Sequence, residues 1–248
     1  MNEPFSLALG LGFLLGLKHA TEADHVVAVT TIISQERSIW RSALVGTVWG
    51  LGHTISLFFA GIFVIFLQVA IPETIATTLE FLVAIMIIFL GVHILYKVLR
   101  NIKETHVHQH FNDGILDSHI NFHDEVEKFS VNDDKVHNGK VYSTSIINMG
   151  LRPLIVGMIH GLAGSAALTL LILTEVMKEG SQVFGLAYLL IFGIGSIGGM
   201  LLMSIIISLP FVFTSSKLEY FNLPIKILTS FGSIIFGVYY AWAIFTKT

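Results

Sequence analysis

Apolar stretches long enough to cross a lipid bilayer recur six times along the chain. A transmembrane helix needs about 20 predominantly apolar residues, and the stretches of that length are residues 5–33, 43–67, 75–99, 151–177, 183–213 and 225–245. The first is interrupted by a polar segment, Lys18-His19-Ala20-Thr21-Glu22-Ala23-Asp24-His25. The pattern predicts an all-α polytopic membrane protein with about six transmembrane helices, of which the first is broken in its middle.

The composition agrees with a surface that mostly faces lipid. Charged residues make up 12% of the 248 residues, whereas soluble domains average about 25%. The net charge of −3 gives no reason to expect a nucleic-acid partner, and the lack of cysteine excludes disulfides and thiolate metal sites. The first four residues lack the basic region of a cleavable signal peptide. We therefore expect the first apolar stretch to remain as a transmembrane helix.

Lysine and arginine are concentrated on one side of the predicted spans. Cytoplasmic loops are enriched in these residues, and that side holds Arg37, Arg41, Lys97, Arg100, Lys103, Lys128, Lys135, Lys140, Arg152, Lys217 and Lys226. The opposite side holds only Lys178 and Lys247. This asymmetry predicts a multi-pass protein of the cytoplasmic membrane, with both termini outside and the long central loop in the cytoplasm.

Short motifs of the first half of the chain return in the second half in the same order. Residues 16–19, 49–53 and 89–93 parallel residues 157–160, 192–196 and 235–239, at offsets of 141, 143 and 146 residues. Each half has three predicted spans, so the halves would be inverted relative to each other, a recurrent plan of secondary transporters. We expect a first three-helix membrane repeat at 1–102, a His-rich cytoplasmic loop at 103–146 and a second three-helix repeat at 147–248.

The polar segment of the first span combines two histidines with two carboxylates: His19, Glu22, Asp24 and His25. A charged side chain near the bilayer centre costs ~2.5–3.5 kcal/mol on insertion scales, and a bound divalent cation offsets that cost. Imidazole with carboxylate suits nickel, cobalt, zinc or iron. A structural cluster neutralised by Lys18 is the alternative, but one lysine leaves a surplus of acids and histidines. The segment therefore favours a metal site.

The helical repeat limits which of these side chains share one ion. At about 100° per residue, Asp24 and His25 lie on opposite sides of His19. Either the helix is unwound here, or some of these residues orient a liganding histidine instead of binding metal. His53 and His160, in glycine-rich parts of later spans, are further candidate ligands, and a hydrogen-bonded core histidine is the alternative for both. His93 is a weaker candidate.

The central loop, roughly residues 103–145, is polar and lacks a periodic pattern, which predicts a flexible insertion. It contains six of the eleven histidines, interleaved with Asp113, Asp117 and Asp124. Such clusters are typical of weak, adaptable metal binding, and a merely solvated polar loop is the alternative. The candidates for metal capture in the loop are His106, His108, His110, His119 and His123.

Residues 18–26 resemble the H-x4-D-H signature of the nickel/cobalt transporter family. Leu51-Gly52-His53-Thr54 is similar to that family's second motif, and residues 160–166 resemble its UreH-like branch, membrane proteins associated with urease and nickel supply. The resemblance implies that His19, Asp24 and His25 are the selective metal ligands, assisted by His53. It also implies Ni²⁺ or Co²⁺ as the transported ion, with no permanent cofactor. Lys18 and Glu22 depart from the arginine and aspartate common at those positions, and an acidic motif of the second half is missing.

Three functions compete on these grounds. The first is a secondary transporter of Ni²⁺ or Co²⁺, since the chain has no G-x-x-x-x-G-K-[ST] motif for ATP. The second is a non-transporting accessory protein that supplies nickel to a urease or hydrogenase, with nickel-enzyme maturation proteins as partners. The third is a membrane acyltransferase, because His19 and Asp24 match the spacing of its His-Asp dyad. The chain lacks the polar catalytic domain of such enzymes, so we expect no enzymatic activity.

Overall fold

The computed structural model describes residues 3–67, 72–103, 107–112, 115–120, 141–162, 182–217 and 219–247. The helices in these ranges are α1 (Glu3–His19), α2 (Ala23–Ile33), α3 (Ile39–Leu67), α4 (Glu73–Lys103), α5 (Val141–Leu162), α6 (Gln182–Lys217) and α7 (Glu219–Lys247). Two antiparallel strands, β1 (Val107–Asn112) and β2 (Ile115–Ile120), pair between α4 and α5. The membrane part that is described is helical, as the sequence predicts.

Four helices of the described chain are long and apolar enough to cross a membrane: Ile39–Phe66, Glu73–Arg100, Gln182–Thr214 and Asn222–Thr246. Shorter apolar helices occupy Ser6–His19, Ala23–Ile33 and Gly150–Leu162. Large side chains such as Phe59, Phe89 and Ile235 are each 66% exposed, as expected of a surface that faces lipid. These helices confirm the polytopic membrane architecture. Residues 163–177, the second part of the predicted fourth span, lie outside the described residues.

The first span is broken within its polar segment. α1 ends at His19, α2 begins at Ala23, and the residues between them form a turn. The backbone N–H and the hydroxyl of Thr21 both donate to the carbonyl oxygen of Lys18, at 2.8 and 2.6 Å. The turn releases the residues after it from the helical spacing of α1. His19 and the first residues of α2 can therefore face the same point.

The helices pack in pairs that follow the predicted repeat. α1 packs on α6 and α5 packs on α3, and the offsets make these two pairs equivalent. α3 also packs on α6, and α4 packs on α7. Buried side chains between the helices include Trp49, Ile87 and Met200. Among the described helices, the packing of α1 on α6 therefore has an equivalent in the packing of α5 on α3.

Close backbone approaches obey the same offsets. A methyl group added at Gly16 in α1 would overlap the carbonyl oxygen of Phe192 in α6. A methyl group added at Gly157 in α5 would overlap the carbonyl oxygen of Trp49 in α3. The two glycines are 141 residues apart and the two aromatic residues are 143 apart, the offsets found in the sequence. The matching contacts support the predicted internal repeat.

The pairing of α4 with α7 has the same internal symmetry. A methyl group at Gly91 would lie 2.8 Å from the carbonyl oxygen of Ser230, and one at Gly237 would lie 3.0 Å from that of Ala84. Gly237 lies 146 positions after Gly91, and Ser230 lies 146 positions after Ala84, so the two contacts are equivalent. Glycine at these positions lets the two helices approach closely.

The central loop differs from the sequence prediction, because residues 107–112 and 115–120 form the two paired strands of a β-hairpin instead of an insertion without regular structure. Apolar and polar residues do not alternate in either strand, since β1 reads Val-His-Gln-His-Phe-Asn and β2 reads Ile-Leu-Asp-Ser-His-Ile. The period of two that is typical of a strand is absent, so the polar segment gave no strand prediction. α5 also begins earlier than the predicted second repeat, at Val141.

Candidate metal centre

Five of the predicted site residues meet where α1 gives way to α2, beside α3 and α5. His19 ends α1, Asp24 and His25 lie in the first turn of α2, His53 comes from α3 and His160 from α5. Their exposed fractions are 4, 7, 0, 1 and 0% in that order. Buried polar groups need hydrogen bonds or a metal ion to offset their loss of hydration. The cluster therefore requires specific partners.

The first group of possible ligands consists of His19, His25 and His53, each offering a nitrogen within 4.8 Å of the others. The Nε2 atoms of His19 and His53 are 3.0 Å apart. Two nitrogens about 2.1 Å from one ion, at a right angle, lie about 3.0 Å from each other. The distance also fits a hydrogen bond between the rings, in which one donates and the other accepts. The group can bind an ion without large movements.

The second group consists of Asp24, His25 and His160, again with ligand atoms within 4.8 Å of one another. Oδ1 of Asp24 lies 3.0 Å from Nδ1 of His25 and accepts the backbone N–H of His25 at 2.9 Å. Oδ2 lies 3.0 Å from Nε2 of His160. The single carboxylate thus joins a histidine of the first half to a histidine of the second half.

His25 belongs to both groups. Because Asp24 holds its Nδ1, the imidazole presents its Nε2 to the cluster, and this atom is buried without a hydrogen-bond partner among the described residues. The Nδ1 atoms of His53 and His160 are likewise buried without a hydrogen-bond partner among the described residues. A carboxylate that fixes a ring through one nitrogen is the usual support of a metal-binding histidine. Nε2 of His25 is therefore available to bind an ion.

Glu22 lies at the edge of the cluster and outside both groups. Its Oε2 is 3.2 Å from Nδ1 of His19, and its side chain is 37% exposed. The predicted ligand residues therefore form two groups that share His25, and Glu22 lies beside the first group without belonging to either. Glu22 is placed to orient His19, as Asp24 orients His25.

Neither a protein-family model nor a solved structure matches the chain. Among curated proteins, "Urease accessory protein UreH" of Bacillus sp. (strain TB-90) is 37% identical over 234 residues, which covers 94% of this chain and 90% of that protein. The chain belongs to the UreH-like branch of the nickel/cobalt transporter family. The match extends over nearly the whole length, so it includes both predicted repeats of this UreH-like protein and not only its first motif.

Two aromatic side chains that the sequence analysis did not single out as site residues line the cluster of this UreH-like protein. The ring of Trp49 lies 5.6 Å from that of His25 and 5.5 Å from that of His160. The ring of Phe192 lies 5.6 Å from that of His19. The contacts His19 to Phe192 and His160 to Trp49 are equivalent at the offsets of 141 and 143. The internal repeat in the sequence could therefore have identified Trp49 and Phe192 as site residues.

The other predicted histidines are elsewhere. His93 is exposed on α4, stacks on Phe89 at 6.1 Å and belongs to neither group. His108, His110 and His119 lie in the hairpin strands, away in sequence from the buried cluster. His106 and His123 fall outside the described residues.

Proposed function

We propose that this UreH-like protein is a secondary transporter that moves Ni²⁺ or Co²⁺ across the cytoplasmic membrane through the buried cluster. The observation that carries the proposal is the sharing of Asp24 between His25 of the first half and His160 of the second. In transporters with inverted repeats, the substrate site lies at the interface of the repeats on an interrupted helix. Movement of one half against the other would then expose the ion to one side at a time.

The donor set supports a transition metal as the substrate. The two groups offer four imidazoles and one carboxylate, and these ligands suit nickel, cobalt, zinc or iron. Magnesium and calcium prefer sites made of oxygen atoms. Membership of the family narrows the proposal to nickel and cobalt.

The shared histidine supports movement of the ion within the cluster. An ion bound by His19, His25 and His53 could pass to the second group by exchanging two ligands while it stays bound to His25. No step would then place an unliganded divalent ion in hydrocarbon, where charge is costly. A transport path through the two adjoining groups would use all five residues of the cluster.

The repeat and the orientation complete the proposal. Paired contacts at the offsets of 141, 143 and 146 support two inverted three-helix repeats at 1–102 and 147–248. With both termini outside, the loop at 103–146 lies in the cytoplasm. The sequence has no phosphate-binding motif for ATP, so an ion gradient or the membrane potential would drive transport.

An accessory role is the second candidate, and the name of the relative, a urease accessory protein, favours it. Such a protein would bind nickel and pass it to maturation proteins of a urease or hydrogenase, with no ion crossing the bilayer. The two functions use the same cluster. They differ in whether nickel accumulates behind a sealed membrane.

Uptake of radiolabelled nickel by liposomes that contain the purified protein distinguishes these functions. We expect accumulation with the native chain, loss of accumulation with Asp24→Asn, and normal accumulation with His93→Asn, a matched control in another span. Nickel binding without accumulation would contradict transport and support the accessory role. Accumulation that Asp24→Asn leaves unchanged would contradict the assignment of the site.

A further inference from the structure

The interface of α3 and α6 joins the first half of the chain to the second, and glycines of α3 lie along it. A methyl group added at Gly46 would overlap the hydroxyl of Ser204, and one added at Gly50 would lie 3.3 Å from the sulfur of Met200. Four residues forward along α3 therefore correspond to four residues back along α6. This register fixes which residues of the two helices lie at the same depth.

The register connects the buried cluster with the beginning of α3. One step of four residues toward that end places Ser42 at the level of Ser208. One step in the other direction places Ser196 at the level of Thr54, next to His53 of the cluster. The buried residues along this line, which we call the serine seam, are Ser42, Ser196, Met200, Ser204 and Ser208. From Ser196 to Ser208 the seam is about 18 Å long.

Two hydroxyls of the seam, those of Ser196 and Ser204, are buried without a hydrogen-bond partner among the described residues. A serine within a helix can donate to a carbonyl oxygen of the preceding turn, as Ser208 does to Ile205 at 2.8 Å. Oγ of Ser204 points into the seam instead, toward Gly46. A buried polar group without a partner in a native protein needs an explanation, such as an ion or a water molecule that it binds.

The internal repeat provides a comparison for the seam. At the offset of 143, Gly61 is equivalent to Ser204 and Leu189 is equivalent to Gly46. A methyl group added at Gly61 would overlap the side chain of Leu189, so the same close contact recurs in the other half of the interface without a hydroxyl. The residues equivalent to Met200 and Ser208 are Leu57 and Ile65. Close packing of α3 on α6 therefore does not require serine, and the serines of the seam have another role.

We propose that the serine seam is the route by which the metal ion passes between the buried cluster and the side of the membrane on which α3 begins. The inference rests on the proposed transport and adds its path. Successive steps of the seam are about 6 Å apart, and their hydroxyl oxygens would replace part of the water shell of an ion that leaves the histidines. Arg37 and Arg41 predict that this side is cytoplasmic.

The seam is closed in this structure, because Ser204 lies directly against the backbone of Gly46. Passage of an ion requires α3 and α6 to separate there. Since α3 belongs to the first half of the chain and α6 to the second, movement of one half against the other would open the seam. The hydroxyls would then be accessible from the side of Arg37.

Single cysteines test whether the seam opens, because the native sequence has none. In sealed membrane vesicles of either orientation, a membrane-impermeant cationic methanethiosulfonate should label Ser204→Cys from the side that labels Arg37→Cys, which is exposed before α3. Labelled Ser204→Cys should lose nickel accumulation relative to the same protein unlabelled, because the adduct places a fixed positive charge in the route. Nickel binding by the unlabelled variant reports its folding, and Ser208→Cys provides a second position.

Two matched controls lie outside the seam. Leu189→Cys, in the equivalent contact, should not be labelled from the side of Arg37. Ser233→Cys replaces a buried serine between α4 and α7 and should be labelled from neither side.

Three results would overturn the proposal: no labelling of Ser204→Cys and Ser208→Cys, equal labelling of Ser233→Cys, or unchanged nickel accumulation after labelling of Ser204→Cys. Failure of the native protein to accumulate nickel would instead contradict transport itself. The labelling pattern would still report whether the seam opens, because labelling requires access and not transport.

Discussion

Nε2 of His160 lies 3.0 Å from Oδ2 of Asp24, although 136 residues separate them in the chain. The contact depends on α5 approaching α3 closely, which Gly157 permits where it meets the backbone of Trp49. It also depends on the break before α2, which brings Asp24 toward α5 instead of continuing the direction of α1. A carboxylate of one half thus acquires a partner from the other half.

Removal of His25 should affect nickel binding more than removal of any other histidine of the cluster. His25 belongs to both groups, whereas His53 and His160 each belong to one. By calorimetry, we expect His25→Ala to abolish binding at the cluster, and His53→Ala and His160→Ala each to weaken it by at least about tenfold, the loss that removal of an orienting residue alone causes. The double variant His53→Ala/His160→Ala should match His25→Ala. A His25→Ala effect no larger than the single effects would contradict the sharing of this ligand.

Alanine at Gly16 and at Gly157 should destabilise the protein to a similar extent. Each added methyl group would overlap a backbone carbonyl oxygen of the partner helix, and overpacking of this kind typically costs about 1–3 kcal/mol. Gly10→Ala and Gly150→Ala are matched controls, because a methyl group there would meet nothing within 4 Å. Alanine in those helices is neutral or stabilising by up to about 1 kcal/mol. Thermal unfolding in detergent makes the comparison, and equal effects at all four positions would count against the paired packing.

Glu22→Gln should weaken nickel binding less than Asp24→Asn does. Glu22 lies outside both groups and contacts only the far nitrogen of His19 within the cluster, and a glutamine oxygen can still accept a hydrogen bond from that nitrogen. Asp24→Asn removes the charge next to two histidines. Titration of both variants with nickel gives the order. Greater sensitivity at Glu22 would indicate that its carboxylate binds the ion itself.

The orientation of the chain can be tested with single cysteines, because the native sequence has none. In intact cells, a membrane-impermeant maleimide should label Lys247→Cys at the end of α7. Gln109→Cys in the hairpin should be labelled only after the membrane is made permeable. The reverse pattern would place the loop outside and contradict the distribution of basic residues.

Glu36, between α2 and α3, should give stability a pH dependence. Burial raises the pKa of its carboxyl group above the usual value, against the opposing charges of Arg41 and Lys97. Since the raised value belongs to the folded state, its contribution to stability is present at low pH and is lost as pH rises through that pKa. Glu36→Gln should therefore be more stable than the native chain at pH 7 and similar near pH 4. Thermal unfolding at both pH values measures this, and a less stable variant at pH 7 would contradict the sign.

The sequence predicted the features that come from long apolar stretches or from charged residues within such a stretch. Apolar stretches of about 20 residues gave the spans, and the charged residues within the first stretch located its break, since an ionisable group in a span needs a specific environment. The offsets of the repeat relate the contact of Gly16 with Phe192 to that of Gly157 with Trp49, but the contacts themselves are seen only in the structure. His53 and His160 were candidates because they lie in glycine-rich parts of later spans, and the structure places both at the cluster.

Other features depend on contacts that a single sequence does not record. The repeat relates His19 to His160 but does not indicate that Asp24 contacts His160, because the equivalent position in the second half, Ser165, carries no carboxylate. The division of the ligands into two groups follows from the turn between α1 and α2, which separates His19 from Asp24 and His25. The hairpin was missed because neither of its six-residue strands has the alternating pattern of a strand.

Diffraction from nickel-loaded crystals at the nickel absorption edge tests the metal centre most directly. An anomalous difference peak locates the ion without any assumption about its ligands. The structure predicts a peak about 2 Å from Nε2 of His25, within reach of His53 or His160. Strong peaks elsewhere, with none at the cluster in crystals of the unmodified protein, would contradict a metal site in the membrane.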